Sequence, residues 1–235
     1  MEYNTFMEFT GTYIPPTLTV DSIVFRLDPQ TGTKLEVLLI ERKNDPFKGL
    51  LAIPGGYNAA GETTHEAHDR ILLKKGGLHA KDLNYTEQLY TFDTVARDPR
   101  GHAVSVAYLS LARQANPKES TTTQQPRFVE VAELPTISFD HGDIISYAHN
   151  RLKSKIAYTN VVFALIPEEF TLTQLQHAYE AIFGRELDKR NFRKKFLALD
   201  LIAETDKFHL SGAHRPAKLY RFKKQSLQTL ERSFD

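Results

Sequence analysis

Two glycine pairs, Gly55-Gly56 and Gly76-Gly77, bracket a segment whose spacing leaves little choice of local structure. Leu50–Ile53 is a short apolar run that ends at Pro54-Gly55-Gly56, so it reads as a strand driven into a turn. Thr64–Lys75 then reads as a helix, with apolar positions at Ala67, Ile71 and Leu72. Gly76-Gly77 closes it as a C-cap would. Helical positions four apart share a face. Two lysines, Lys74 and Lys75, therefore enter the last turn where they favour the helix dipole or meet whatever lies beside that turn.

The 235 residues suffice for one large domain or two small ones. There is no cysteine, which excludes disulfides and thiolate metal sites. The start, MEYNTFMEFTGTYIPPTL, has neither a basic opening nor an apolar run, so no signal peptide is expected. No stretch approaches the ~18 apolar residues of a membrane span. A soluble, cytoplasmic protein with no membrane partner is the expectation. The net charge of +1 conceals an asymmetry. Residues 1–150 hold 14 Lys+Arg against 19 Asp+Glu, and residues 151–235 hold 16 against 10. An acidic front and a basic back suggest two modules, the second able to meet nucleic acid or a membrane surface.

Thr17–Leu27 and Lys34–Arg42 read as strands around the turn Asp28-Pro29-Gln30-Thr31-Gly32. Gln88–Ala96 and Ala103–Ala112 read as two more, joined by Arg97-Asp98-Pro99-Arg100-Gly101. Ala115–Pro126 is polar and of low complexity and reads as a loop. Arg127–Val131 suggests a further strand and Gly142–Lys155 a helix. The style changes near Lys153–Tyr158, where two amphipathic helices and a hairpin begin. The expected class is α+β, with domains at residues 1–155 and 156–235.

The segment Gly56–Leu78 resembles the Nudix box, G-x5-E-x7-R-E-U-x-E-E-x-G-U with U apolar. Gly56, Glu62, Arg70, Leu72, Gly77 and Leu78 match it. The resemblance implies a Nudix fold, a mixed sheet between helices. The departures matter as much. The three glutamates that hold divalent metal in working Nudix hydrolases fall at Ile71, Lys74 and Lys75. Mg²⁺ takes oxygen ligands, and an ammonium ~4 Å from it costs ~8 kcal/mol at an effective dielectric of ~20. Glu62, Glu66 and Asp69 are the acids left that could rebuild a site. The expectation is a retained helix and lost metal chemistry: no catalytic residue, no metal and no cofactor. The lysines are instead candidates to meet a ligand's phosphates.

Arg97-Asp98-Pro99-Arg100-Gly101-His102 places two arginines on a proline-stiffened turn, which suits bidentate contact with a pyrophosphate. Asp98 can orient an arginine or accept a sugar hydroxyl. This turn, Val20-Asp21, Leu39–Arg42 and Phe139-Asp140-His141 together are similar to the Nudix-related transcriptional regulators, the NrtR family. By that resemblance Arg42, Gly55, Gly56, Arg70, Arg97, Asp98 and Arg100 are candidate ligand-pocket residues. Phe47 is a candidate to stack on a base, or a simple packing residue. His141 is a candidate ligand contact, or a satisfied local histidine.

Thr171-Leu172-Thr173-Gln174 is a capping-box start. Leu172, Leu175, Tyr179 and Ile182 give an apolar stripe and Gly184 a stop. Asp188 is the candidate N-cap of a second helix, Asp188–Asp200, with Phe192, Phe196 and Leu199 inward. Lys189 and Arg193, and Arg190 and Lys194, are four apart on an outward basic face, as in a recognition helix. Asn191 can read adenine and arginine guanine. Leu201–Glu204 and Lys218–Phe222 read as strands around a wing that carries Arg215. These features suit a winged helix-turn-helix or a small helical interaction domain with a solvated basic face; the NrtR resemblance implies the first, with Thr171, Thr173, Lys189, Arg190, Asn191, Arg193, Lys194, Arg215 and Lys218 as candidate DNA contacts.

The resemblance implies a homodimeric regulator on a palindromic operator of double-stranded DNA. It implies a repressor of NAD-metabolism genes released by ADP-ribose or a related nucleotide. The rivals are an active ADP-ribose pyrophosphatase tethered to DNA and a sugar-sensing Nudix-fold regulator.

Overall fold

The computed structural model describes residues 14–118, 124–210 and 216–230. The first half holds β1 (Thr17–Leu27), β2 (Leu35–Glu41), β3 (Leu51–Ala52), β4 (Gly55–Tyr57), α1 (Thr64–Ile71), β5 (Tyr85–Phe92), β6 (Ala103–Leu111) and β7 (Gln124–Glu130). It is followed by α2 (His141–Tyr158), α3 (Leu172–Phe183), α4 (Lys189–Ala198), β8 (Ile202–His209) and β9 (Ala217–Phe222).

β1 is buried on both faces through its middle, as a strand covered above and below must be. It runs parallel to β6, from Thr17 opposite Ala103 to Phe25 opposite Leu111. Its other edge is divided: Thr19–Asp21 pair with β4, and Phe25–Leu27 pair with β2. Between them the Ser22 N–H donates to Pro54 O at 2.9 Å. The sheet order is β3-β2-β1-β6-β5, with β7 on β2 and β4 on β1. Alternation along β1 sends Ile23, Phe25 and Leu27 to one face, against Ile144, Ile145, Ala148 and Leu152 of α2. Val20 goes to the other, with Ala67 and Ile71 of α1. The mixed sheet thus lies between helices.

Several expected boundaries move, the largest at β8, expected to end at Glu204, which runs to His209. β5 spans Tyr85–Phe92 instead of Gln88–Ala96, and β7 begins at Gln124, inside the stretch read as loop. The helix expected over Thr64–Lys75 is α-helical only to Ile71. Thr63 caps it through a capping box with Glu66. Leu72–Gly76 then form a single wide π turn, closed by the Gly77 N–H on Leu72 O. Gly77 has φ +66°, and a Cβ there would run into Lys118 O, so glycine is required on both counts.

α2 runs through residue 155, where the sequence divides into two styles, and ends at Tyr158. The apolar core is continuous from the sheet through α2 to Tyr179 of α3, Phe192 and Phe196 of α4, Ile202 and Phe222. α3 has its Thr171–Gln174 capping box and a left-handed Gly184 at φ +69°. Asp188 caps α4 by accepting from Asn191 N at 2.8 Å. β8 and β9 form the hairpin, which residues 170 and 220 tie to the start of α3 by two backbone hydrogen bonds. Arg215 lies outside the described residues. No helix among them is long and apolar enough to cross a membrane.

His68 of α1 is fully buried, 2.8 Å from Ser22 Oγ and stacked at 4.9 Å on Tyr108. Burial pushes its pKa down to about 4, from an ordinary 6.5. The unfolded chain therefore binds the extra proton between those values. The stability that neutral His68 preserves is complete above pH ~6.5 and falls as pH drops toward 4, by ~3 kcal/mol at most. In urea titrations, His68→Asn is expected to lose less stability than the wild type between pH 7 and pH 4. Parallel profiles would mean that His68 does not carry the acid sensitivity.

Candidate functional site

The divided edge of β1 opens a cavity of about 430 Å³, within the size range of small-molecule sites. All seven expected ligand-pocket residues line it: Arg42 after β2, Gly55 and Gly56 of β4, Arg70 of α1, and Arg97, Asp98 and Arg100 from the β5–β6 loop. Lys74, Lys75, Asp21, Phe139 and His141 line it as well. β4 presses so closely on β1 that a Cβ at Gly55 would strike the Asp21 carboxylate. Glycine there is a matter of approach between strands.

The cavity floor is ionic. Arg97 is buried, with Nε donating to Asp140 Oδ2 at 2.8 Å and Nη2 to Asp140 Oδ1 at 2.9 Å. The same Nη2 donates to Asp21 Oδ2 at 3.3 Å, an oxygen that also accepts from Ser105 Oγ at 2.6 Å. The pairing of Arg97 with Arg100 as a phosphate clamp is thereby modified: Arg97 is a brace between β1 and α2, and Arg100 is the more exposed arginine of the turn. Asp98 orients Arg100, accepting Nε at 2.9 Å and Nη2 at 2.6 Å. His141 is a second brace. Its Nδ1 accepts from Ile53 N at 3.0 Å, and burial lowers its pKa, so the ring is neutral with its proton on Nε2.

The rim is cationic. Arg42 donates Nε to Pro46 O at 2.8 Å and lays its guanidinium over the Phe139 ring at 4.5 Å. Arg100 reaches the same ring at 5.5 Å. Phe139 escaped the sequence reading as a site residue, although Phe139-Asp140-His141 marked its neighbourhood. Phe47 packs edge-on against Phe139 at 4.8 Å and does not line the cavity, so its packing role is the one observed. Arg70 donates Nε to Glu62 Oε2 at 2.9 Å and Nη2 to Tyr57 O at 2.9 Å. The Arg70 and Ala59 hydrogen bonds hold the Glu62 carboxyl down at about 2. Six cationic side chains line the cavity against two carboxylates.

A divalent metal does not fit this donor set. Ile71 is buried, and Lys75 Nζ donates to Gly55 O at 2.5 Å. Of the acids that might substitute, Glu62 is taken by Arg70, Glu66 by the helix cap, and Asp69 does not line the cavity. No group of three His, Cys, Asp or Glu able to hold a metal occurs among the described residues.

On the second half, α4 exposes Lys189, Arg190, Asn191 and Lys194, with Lys195 beside them. Two expected contacts are placed differently. Thr171 is buried, and its hydroxyl accepts from Gln174 N at 3.1 Å as a cap. Arg193 turns toward α3, its Nη2 donating to Thr173 Oγ1 at 3.1 Å, so it leaves the outward face and ties the two helices. Lys218 lies over Phe208 at 4.8 Å.

Comparison with known proteins covers both halves. The NUDIX domain family matches residues 17–148, and the NrtR DNA-binding winged helix domain family matches residues 162–222. The chain is 37% identical over 217 residues to the "ADPR responsive transcriptional repressor NtrR" of Acinetobacter baylyi, covering 89% of this chain and 83% of that one. It superposes on Shewanella oneidensis NrtR complexed with a 27mer DNA at a TM-score of 0.75, with 30% identity over 93% of this chain and 99% of that one. The NUDIX domain of the same Shewanella oneidensis protein, in complex with ADP ribose, gives a TM-score of 0.50 and 31% identity over 60% of this chain and 90% of that one. The chain thus belongs to the NrtR family, Nudix domains joined to a DNA-binding winged helix.

Proposed function

We propose that this chain is an ADP-ribose-responsive transcriptional repressor that binds ADP-ribose in the β1–β4 cavity and operator DNA with α4. In this reading residues 1–155 sense the ligand and residues 156–235 bind DNA. The protein acts as a cytoplasmic homodimer on a palindromic operator of NAD-metabolism genes. The observation that carries it is the joining of a cation-rimmed cavity and an exposed basic helix through one apolar core. ADP-ribose supplies the matching parts: a diphosphate for Arg42, Arg70 and Arg100, and a base for the neighbourhood of Phe139. The relative from Acinetobacter baylyi is named for the same response, and the Shewanella oneidensis domain was solved with that nucleotide.

Release follows from linkage. A dimer reads half-sites about one helical turn, ~34 Å, apart, so DNA selects one spacing of the two α4 helices. A ligand with unequal affinity for the two spacings shifts the population, and DNA shifts ligand binding by the same factor. Hydrolysis has no part in this reading. The helix that would hold the metal presents Ile71, Lys74 and Lys75, which is also the ground for setting aside a DNA-tethered pyrophosphatase.

Saturating ADP-ribose is expected to weaken binding of an operator fragment, selected by the protein from a random DNA pool, by about tenfold or more in gel shifts. An unmoved affinity would reject ADP-ribose as the effector. With Mg²⁺ or Mn²⁺, release of AMP from ADP-ribose is expected to stay far below the ~1 s⁻¹ floor of ordinary enzymes. Turnover above it would restore the hydrolase reading. Arg190→Ala combined with Lys194→Ala is expected to weaken operator binding by about tenfold or more and to reduce its salt dependence. Calorimetric affinity for ADP-ribose should stay within about twofold of the wild type. Undiminished operator binding would mean that another element enters the groove.

A further inference from the structure

We propose that the Lys75 ammonium is a built-in counter-ion which replaces a divalent metal, so that the diphosphate effector is taken up without any metal ion. This rests on the reading of the β1–β4 cavity as a diphosphate site.

The geometry is specific to one side chain. Lys75 lies in the wide turn after α1, and its Nζ is 2.5 Å from Gly55 O. The same nitrogen is 3.4 Å from the point where a Cβ on Gly56 would stand, so the ammonium is pressed on the backbone of β4. The box spacing assigns this helix position to a metal-holding glutamate in working Nudix hydrolases. Here the position delivers the cation itself. An ammonium is a compact point charge with three donors, suited to oxygens on two adjacent phosphates.

The surroundings argue for an anion and against a metal. Arg42, Arg70 and Arg100 face the same cavity, with Asp21 and the Arg100-bound Asp98 as the opposing carboxylates. Burial lowers the Lys75 pKa, Asp21 opposes the fall, and Arg42, Arg70 and Arg100 deepen it. Crowding of like charges of this kind is relieved by a diphosphate and aggravated by a divalent cation. A merely structural role, in which Lys75 only ties the turn to β4, would leave ligand affinity untouched when the tie is replaced by packing.

The test is calorimetric titration of the full chain with ADP-ribose, once in excess EDTA and once in excess Mg²⁺, with inorganic pyrophosphate as a second probe. Wild-type affinities with and without metal are expected to agree within about twofold. Lys75→Met should weaken binding by about tenfold or more in both conditions, and Lys75→Arg should keep most of it. Lys75→Glu should lose binding in EDTA and regain part of it in Mg²⁺. A wild-type affinity that improves tenfold or more with Mg²⁺ would overturn the proposal, as would full affinity in Lys75→Met. The two wild-type titrations decide the metal question even if a variant fails to fold. Pyrophosphate bound in EDTA, with ADP-ribose ignored, would refute the effector and leave the counter-ion standing. Neither probe bound in EDTA would refute the counter-ion.

Discussion

A buried guanidinium holds the site together. Arg97 is fixed on Asp140 at the start of α2 and touches Asp21 in the middle of β1, while Ser105 of β6 shares the Asp21 carboxylate. Three elements far apart in sequence meet at one charge. Desolvating such a group costs several kcal/mol, which its partners offset only with good geometry, and removing one partner would leave a buried charge exposed to that cost. The cluster is therefore a device of position more than of stability. It fixes where β1, the β5–β6 loop and α2 sit, and the rim arginines inherit their places from that floor.

α2 is also the element that reaches from the cavity floor to the second half. Its first turn carries His141 against Ile53 beneath the cavity. Its last turn meets the second half, where Asn160 exchanges hydrogen bonds with Ser226 and Gln228, and Tyr158 O accepts from Leu230 N. Eighteen helical residues span about 27 Å. Arg113, just past β6, adds a second link by donating to Phe163 O and pairing with Glu168. A rigid rod packed along a continuous core can pass a small displacement from one end to the other, because packed interiors switch between arrangements and do not deform smoothly. What couples ligand to DNA in this reading is therefore a helix and a core, with no chain of polar relays required.

Legibility in the sequence divided along one physical line. Features set by neighbours within a turn or two were readable: the Thr171–Gln174 box, the Asp188 cap, the left-handed Gly77 and Gly184, and β1 to the residue. The seven residues expected at a ligand pocket came from the family resemblance, and the fold brings them to one cavity. Features set by distant partners were not readable. Arg97 looked like a phosphate ligand because Asp140 is 43 positions away. Arg193 lay on the basic face of a helical wheel, and its turn toward Thr173 depends on how α3 crosses α4. Phe139 takes its place from a left-handed backbone at φ +56° and from two arginines brought by other elements. The wide turn after Ile71 has no local signature, since the residues that form it are ordinary helix formers.

That turn and the helix before it carry the three positions at which the box residues are replaced. Lysines at 74 and 75 alone could be exchanged for acids at the cavity edge. Ile71 is another matter: it is buried at 1% exposure and packs with Val20, Ala67 and Tyr108 under the sheet. Its side chain also borders the cavity, where it offers no oxygen to a metal. A Cβ added at Gly56 would stand 3.4 Å from the end of the Ile71 side chain. The three positions at which the box carries acids thus bear one apolar and two cationic side chains, a lining that suits an anionic ligand better than a metal ion.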